Sequence, residues 1–238
     1  MKLKKIASLM LAGVMAVSML AGCNTTSNTP DTGDDDQGTT TPVTGYSAKL
    51  GDEIAERSTI AGKKVAWSES NDLQSSLNYQ VGNVGYNALT ESFVRSLSDG
   101  KVQFVDNRWG TPDIVKTVND NVTADMDAEQ NAGEEASTWN AITALNPVNN
   151  FDDDDYNTVL LFVVDNGVEL NNAMDQIAAQ IADAVAALDD DYNSETGADS
   201  MNVNYEYTGS VATCTKTFEA GHGVGVSFIA VEIVRHIA

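Results

Sequence analysis

Residues 158–164, Thr-Val-Leu-Leu-Phe-Val-Val, place the strongest constraint on the fold of this chain. Every residue of the run after Thr158 is apolar, and Asp165, Asn166 and Gly167 follow it. A strand that is apolar on both faces must be covered on both faces, which is typical of the centre of a sheet. Residues 226–234 are also largely apolar on both faces. The sequence therefore predicts two buried central strands.

Helices are predicted where apolar residues recur at helical spacing. The clearest helix covers residues 168–188, and its stripe steps by three or four positions through Leu170, Met174, Ile177, Ile181, Val185 and Leu188. Weaker helical patterns cover residues 77–97, 113–126 and 134–145. Thr111 and Pro112 predict the start of the second of these, with the hydroxyl as a cap and proline at the first helical position.

Further strands are predicted at residues 65–67, 102–105 and 203–218, which gives the order β-α-β-α-α-β-α-β-β. A short turn with three glycines, Gly221, Gly223 and Gly225, joins the last two strands, so these must be antiparallel. We expect a single α+β domain over residues 46–238, with a mixed sheet covered by helices. A three-layer α/β domain is the alternative.

The N-terminus has the three-part pattern of an export signal. Lys2, Lys4 and Lys5 precede an uncharged apolar run over residues 6–21. That run is shorter than the ~20 apolar residues that a membrane-spanning helix needs. No basic flank follows it, as would be typical of a stop-transfer segment.

The end of this run, Leu20-Ala21-Gly22-Cys23, resembles the lipobox of bacterial lipoproteins. The resemblance implies that residues 1–22 are a signal peptide, that the Cys23 thiol carries a lipid, and that the protein is anchored at the extracytoplasmic face of the cell membrane. Residues 23–45 then form the lipidated cysteine and a disordered tether rich in Thr and Asp. The order of lipobox, tether and domain is similar to that of uncharacterised surface lipoproteins of Gram-positive bacteria.

The charge of the chain argues against nucleic acid as a partner. It has 13 Lys and Arg residues against 35 Asp and Glu residues, a net charge of −22, and loss of the signal would remove lysines and no acid. Such a surface is repelled by phosphates and by anionic lipid headgroups. Lipid attachment at Cys23 would also leave Cys214 without a partner in the chain, so we expect Cys214 to be a small buried side chain.

No catalytic or cofactor-binding residue can be assigned from the sequence. The glycines around His222 lie between two strands, whereas a dinucleotide loop precedes a helix. The second histidine is His236, and no group of His, Cys and acids has the spacing of a zinc site. A triad of acid, histidine and serine through His222 stays open, although no particular serine is indicated.

A weak calcium site is the remaining candidate. Asp189, Asp191 and Asn193 follow the long predicted helix and alternate as the first oxygen ligands of a calcium loop do. Ser194 and Ser200 stand where such a loop has Gly and Glu, so a solvated acidic loop is the alternative. Acids at the negative end of a helix are also unfavourable, and an ion would relieve this.

For function, we expect an extracytoplasmic module without enzymatic activity that binds a protein or glycan partner at the cell envelope. The alternative is a small solute-binding receptor lipoprotein, which resembles the chain in its strand, helix and strand after a tether. Such receptors generally use two α/β lobes and a longer chain. A cleft lined by Trp67, Trp109 and Trp139 would favour the receptor.

Overall fold

A computed structural model describes residues 45–85, 89, 91–97, 99–106, 111–128, 137–146, 155–193, 202–217 and 225–238. These residues belong to one compact unit that spans residues 37–238. The lipobox, the tether, Trp109 and His222 lie outside the described residues. Among the described helices, none combines the length and the apolar character needed to cross a membrane.

The described strands form one six-stranded sheet. The strands are β1 (Val65–Trp67), β2 (Gln103–Phe104), β3 (Tyr156–Asp165), β4 (Asp191–Asn193), β5 (Asn202–Thr217) and β6 (Gly225–Ile237). Their order is β1-β5-β6-β3-β2, and β4 pairs with the start of β5. Only the β1–β5 pair is parallel among these pairings. The sheet is therefore mixed, and the predicted α+β class is confirmed.

The two predicted central strands are confirmed. β3 pairs along its whole length with β6, from Tyr156 opposite Arg235 to Asp165 opposite Val226. β6 also pairs with β5 up to Thr217 opposite Gly225, in the predicted antiparallel hairpin. Residues 159–164 of β3 are all buried, which explains why the sequence of this strand is apolar on both faces.

Seven helices are described around the sheet: α1 (Tyr46–Arg57), α2 (Ala61–Lys64), α3 (Asn71–Gly82), α4 (Glu91–Ser96), α5 (Asp113–Asp125), α6 (Thr138–Thr143) and α7 (Leu170–Ala186). We call the face of β3 with Leu160, Phe162 and Val164 the first face; it packs with α1, α6 and α7. The second face carries Val159, Leu161 and Val163 and packs with α3, α4 and α5. Helices thus cover both faces.

Three details differ from the sequence predictions. The helix predicted over residues 77–97 is two helices, α3 and α4, because glycines at 82 and 85 do not favour a continuous helix. α1, α2 and β4 were not predicted. α5 begins at Asp113 with Pro112 at the capping position, so the predicted cap by Thr111 is wrong by one residue.

Candidate functional site

One end of the β5–β6 hairpin carries an acid, an arginine and a histidine within five residues of one strand. We call residues 202–210 of β5 and 232–237 of β6 the open end, and residues 211–217 and 225–231 the turn end. At the turn end the strands bury apolar residues on both faces. At the open end β6 alone carries Glu232, Arg235 and His236. The open end therefore holds the candidate functional site.

His236 bonds through both of its ring nitrogens. Its Nδ1 lies 3.0 Å from Oδ2 of Asp155, and its Nε2 lies 2.8 Å from Oγ1 of Thr208. The three residues come from the start of β3, from β5 and from β6. The side chains of Asp155 and His236 are 62% and 35% exposed, so solvent reaches this line of groups. An acid, an imidazole and a hydroxyl are thus joined in one chain of hydrogen bonds.

Glu232 is buried. It lies on the same face of β6 as His236, four residues earlier in the strand. Its Oε2 accepts a hydrogen bond from Ser210 Oγ at 3.1 Å, and its Oε1 accepts one from Asn157 Nδ2 at 3.3 Å. Burial raises the pKa of the Glu232 carboxyl, against the lowering effect of these two bonds. Asp72, at the start of α3, raises this pKa further by its negative charge.

Arg235 occupies the first face at the same end. Its guanidinium carbon lies 4.6 Å from the ring centre of Tyr156 and 4.9 Å from that of Tyr205. Its Nη1 donates a hydrogen bond of 2.6 Å to the carbonyl oxygen of Leu145, just after α6. Two aromatic faces and a carbonyl at a helix C-terminus are favourable surroundings for a buried cation. This arrangement holds α6 against the sheet.

The predicted calcium ligands lie beside the open end, after α7. The N–H of Asp189 donates to Asn146 Oδ1 at 2.9 Å, and the Asp189 carbonyl accepts from the hydroxyl of Tyr207 at 2.8 Å. Asp191 is exposed at the first position of β4, opposite Asn204, and Asn193 ends that strand. Asp191 and Asn193 thus belong to a strand, whereas Asp189 lies between α7 and that strand. The side chain of Asn193 is outside the described residues.

The C-terminus of α7 has protein partners. Asn146 Nδ2 donates to the Ala187 carbonyl at 2.9 Å, and Lys64 forms an ion pair with Asp190. The Asn146 amide and the Lys64 ammonium are donors near the C-terminus of α7. They compensate the negative end of its helix dipole, for which the sequence had indicated no partner. Within the described ranges no three His, Cys, Asp or Glu side chains are grouped to hold a metal. The weak calcium site remains a prediction.

Cys214 is 1% exposed and unpaired, as predicted for a small buried side chain. Burial raises the pKa of its thiol to about 11, so it is not a thiolate at neutral pH. Trp67 packs between α1 and β5: a Cβ added to Gly51 or to Gly209 would lie 2.6 or 2.7 Å from its indole. Trp139 is exposed on α6. Trp67 is therefore half-buried and packs against the core of the first face.

Sequence reasoning missed the group around His236. Its partners are 28 and 81 residues away along the chain, so no local motif could show them. One signal was present: in the apolar strand β6, Glu232 and His236 are four residues apart and lie on one face. Two polar residues on one face of a central strand indicate that this face is polar at one end.

The comparisons with known proteins add no relative. No family model, no curated protein and no solved structure matches this chain. What is known of the site therefore comes from its own residues and their geometry.

Proposed function

We propose that this protein is a lipoprotein, anchored at the extracytoplasmic face of the cell membrane by acyl chains on Cys23. The observation that carries the proposal is the sequence Leu20-Ala21-Gly22-Cys23 at the end of a short apolar run behind three lysines. In this proposal the α+β domain is a module that binds a protein or glycan partner at the cell envelope, and residues 23–45 are its tether.

The architecture supports a module over a solute receptor. The strands that the structure describes all belong to a single sheet with helices on both faces. Receptors of transporters generally hold their ligand between two lobes. The packed position of Trp67 also supports the module, because an aromatic side chain in a ligand cleft has to face the ligand.

The anchor is tested with the two cysteines of the chain. The full-length protein is expressed in a Gram-positive host with an alkyne analogue of palmitate and is then partitioned between detergent and water. We expect the wild type in the detergent phase, carrying label and an acylated N-terminal Cys23. Cys23→Ala should lose the label and keep its signal peptide, whereas Cys214→Ala should remain labelled.

Two outcomes contradict the proposal. A wild-type protein in the aqueous phase, without acyl mass on its N-terminus, would exclude the anchor.

A thermal-shift screen of sugars, amino acids and peptides addresses the module separately. Ligand present at 100 times its Kd stabilises a protein by about 2.7 kcal/mol. A shift of that size with one small metabolite would favour the receptor instead.

A further inference from the structure

The hydrogen bonds of His236 fix where its protons lie when the ring is neutral. An ionised carboxylate only accepts hydrogen bonds, so Nδ1 carries the proton that is shared with Asp155. Nε2 is then unprotonated and accepts the hydrogen of the Thr208 hydroxyl at 2.8 Å. A hydroxyl that donates to an imidazole held by an acid is the arrangement of an activated nucleophile.

We propose that Thr208 is the nucleophile of a hydrolytic site for carboxylic esters, with His236 as general base and Asp155 as the residue that positions the imidazole. This goes beyond the binding module and does not depend on the lipid anchor. Both hydrogen bonds are within the reach that proton transfer requires. The partial exposure of Thr208 and His236 gives a substrate access to the hydroxyl.

The reaction balances with water as the only co-reactant. Thr208 Oγ1 attacks the carbonyl carbon of the ester while its proton passes to His236 Nε2. The bond from the carbonyl carbon to the leaving oxygen breaks, and that oxygen takes the proton from Nε2 and leaves as an alcohol. Water then attacks the carbonyl carbon of the acyl-threonine while His236 Nε2 takes a proton from it. Nε2 returns this proton to Thr208 Oγ1 as the bond between Oγ1 and the carbonyl carbon breaks. The carboxylic acid leaves, and the Thr208 hydroxyl is restored.

The start of α3 supplies a favourable field for the oxyanion of this reaction. The N–H of Ser68 donates to the Gly209 carbonyl at 2.9 Å, so the chain leaves β1 for α3 at the level of Gly209 in β5. Ser70 caps the helix through the N–H of Leu73, and the N–H groups of Asn71 and Asp72 have no partner inside the helix. Helix α3 packs on the second face of the sheet, which is also the face of β5 that carries Thr208, and its positive end is directed to this side.

The carboxylate of Asp72 lies in the first turn of α3 and opposes this field. Asp72 acts on Glu232, whose pKa is raised chiefly by burial. Ser210 is the hydroxyl next along this face of β5, and it already donates to Glu232 at 3.1 Å. Ser210 therefore does not compete with Thr208 for His236.

The test is the hydrolysis of p-nitrophenyl acetate by the purified full-length protein in detergent. We expect the wild type to exceed Thr208→Val and His236→Asn by at least about 100-fold in kcat/KM, the usual contribution of a general base. Thr208→Ser should retain activity, because serine keeps the hydroxyl. Asp155→Asn should lower kcat with little change in KM. The carboxylate of Asp155 favours the imidazole tautomer with its proton on Nδ1, whereas an amide can also donate to Nδ1 and so does not select this tautomer.

Thr215→Val is the matched control. Thr215 lies on the same strand, and its hydroxyl bonds to Ser227 at 2.9 Å instead of to a histidine. Its variant should hydrolyse the ester at the wild-type rate. Circular dichroism establishes that each variant is folded. Equal rates for wild type and folded Thr208→Val would overturn the proposal and leave the three groups as a structural contact between strands. Loss of activity in Thr208→Ser as large as in Thr208→Val would also overturn it.

Discussion

The two ends of the β5–β6 hairpin are built from different chemistry. At the turn end, the second face of the hairpin is buried and apolar. It carries Val226, Phe228 and Ala230 on β6 and Ala212 and Cys214 on β5. At the open end, Glu232 and Arg235 are 6% and 4% exposed, on opposite faces of the same strand. Neither has an oppositely charged partner within the described residues. The turn end is thus mainly apolar, with Lys216 as its buried charged residue, bonded to the Gly82 carbonyl at 3.0 Å, whereas the open end buries both an acid and a base.

This difference indicates how the hairpin divides its roles. Apolar packing at the turn end is non-directional and stabilises the fold. Buried charges at the open end need specific partners: Arg235 has two aromatic rings, and Glu232 has a serine and an asparagine. Polar groups held in defined geometry beside solvent are what a binding or catalytic site requires. The proposed site accordingly lies at the end of β6.

The largest expected effect is at the turn end. Phe228 is fully buried, and Phe228→Ala should lower the free energy of unfolding by about 4 kcal/mol through lost burial and a residual cavity. Urea denaturation at pH 5 and pH 8 measures the loss. No titratable group is removed, so we expect the same loss at both values. A loss below about 1 kcal/mol would show that the turn end does not carry the stability of the hairpin.

The next effect is at the open end. Arg235→Ala removes two cation–π contacts and the bond to Leu145, and it should cost about 3 kcal/mol. Arg235→Met keeps most of the side-chain volume, so we expect about half of that loss. Arg57→Ala, which breaks an exposed ion pair with Asp175, is the control and should cost less than about 1 kcal/mol. Equal losses in all three variants would contradict a special role for the buried cation.

The fold was predictable where one residue pattern determined the element. β3, β5, β6 and α7 were found within a few residues of their observed ends, because long apolar periodicity reflects a large buried surface. α1 was missed because it buries only Leu50, Ile54 and Ser47. Its serine hydroxyl accepts the N–H of Val211, a contact 164 residues away. β4 was missed because its three polar residues are held in a strand by pairing with β5.

The candidate site was less predictable for a physical reason. Asp155, Thr208 and His236 meet only because β3 and β5 both flank β6 in the sheet. Strand order depends on packing over the whole domain and leaves no local mark in the sequence. The calcium hypothesis, by contrast, came from a local pattern at residues 189–193, and the structure places the last three residues of that pattern in a short strand.

Glu232→Gln should act in the opposite direction to the first two variants. The folded-state pKa of Glu232 is raised, so the wild type loses stability as pH rises from the unfolded-state value towards the raised one. Glutamine has no charge to desolvate. We expect the variant to match the wild type near pH 4 and to exceed it by about 1 kcal/mol at pH 8, a modest desolvation cost.

Thermal unfolding between pH 4 and pH 8 measures this difference. Glu56→Gln is the control, because Glu56 is an exposed glutamate on α1. That variant should follow the wild-type curve. A Glu232→Gln curve parallel to the wild type over the whole range would mean that the carboxyl is as well solvated as in the unfolded chain.

The smallest expected effect concerns the acids beside the open end. Asp189, Asp191 and Asn193 alternate after α7, and Asp191 is exposed at the edge of the sheet, where an ion can reach it. Extracellular calcium sites bind at ~10⁻⁴–10⁻³ M. Calcium at about its Kd stabilises a protein by about 0.4 kcal/mol.

We expect calorimetry with millimolar calcium to show a rise in Tm for the wild type and none for Asp191→Ala. Asp183→Ala, which removes an exposed acid from α7, controls for non-specific binding and should keep the rise. Equal melting temperatures with and without calcium in all three proteins would leave a solvated acidic segment, whose order then depends on β5 and on the contacts of Asn146 and Lys64.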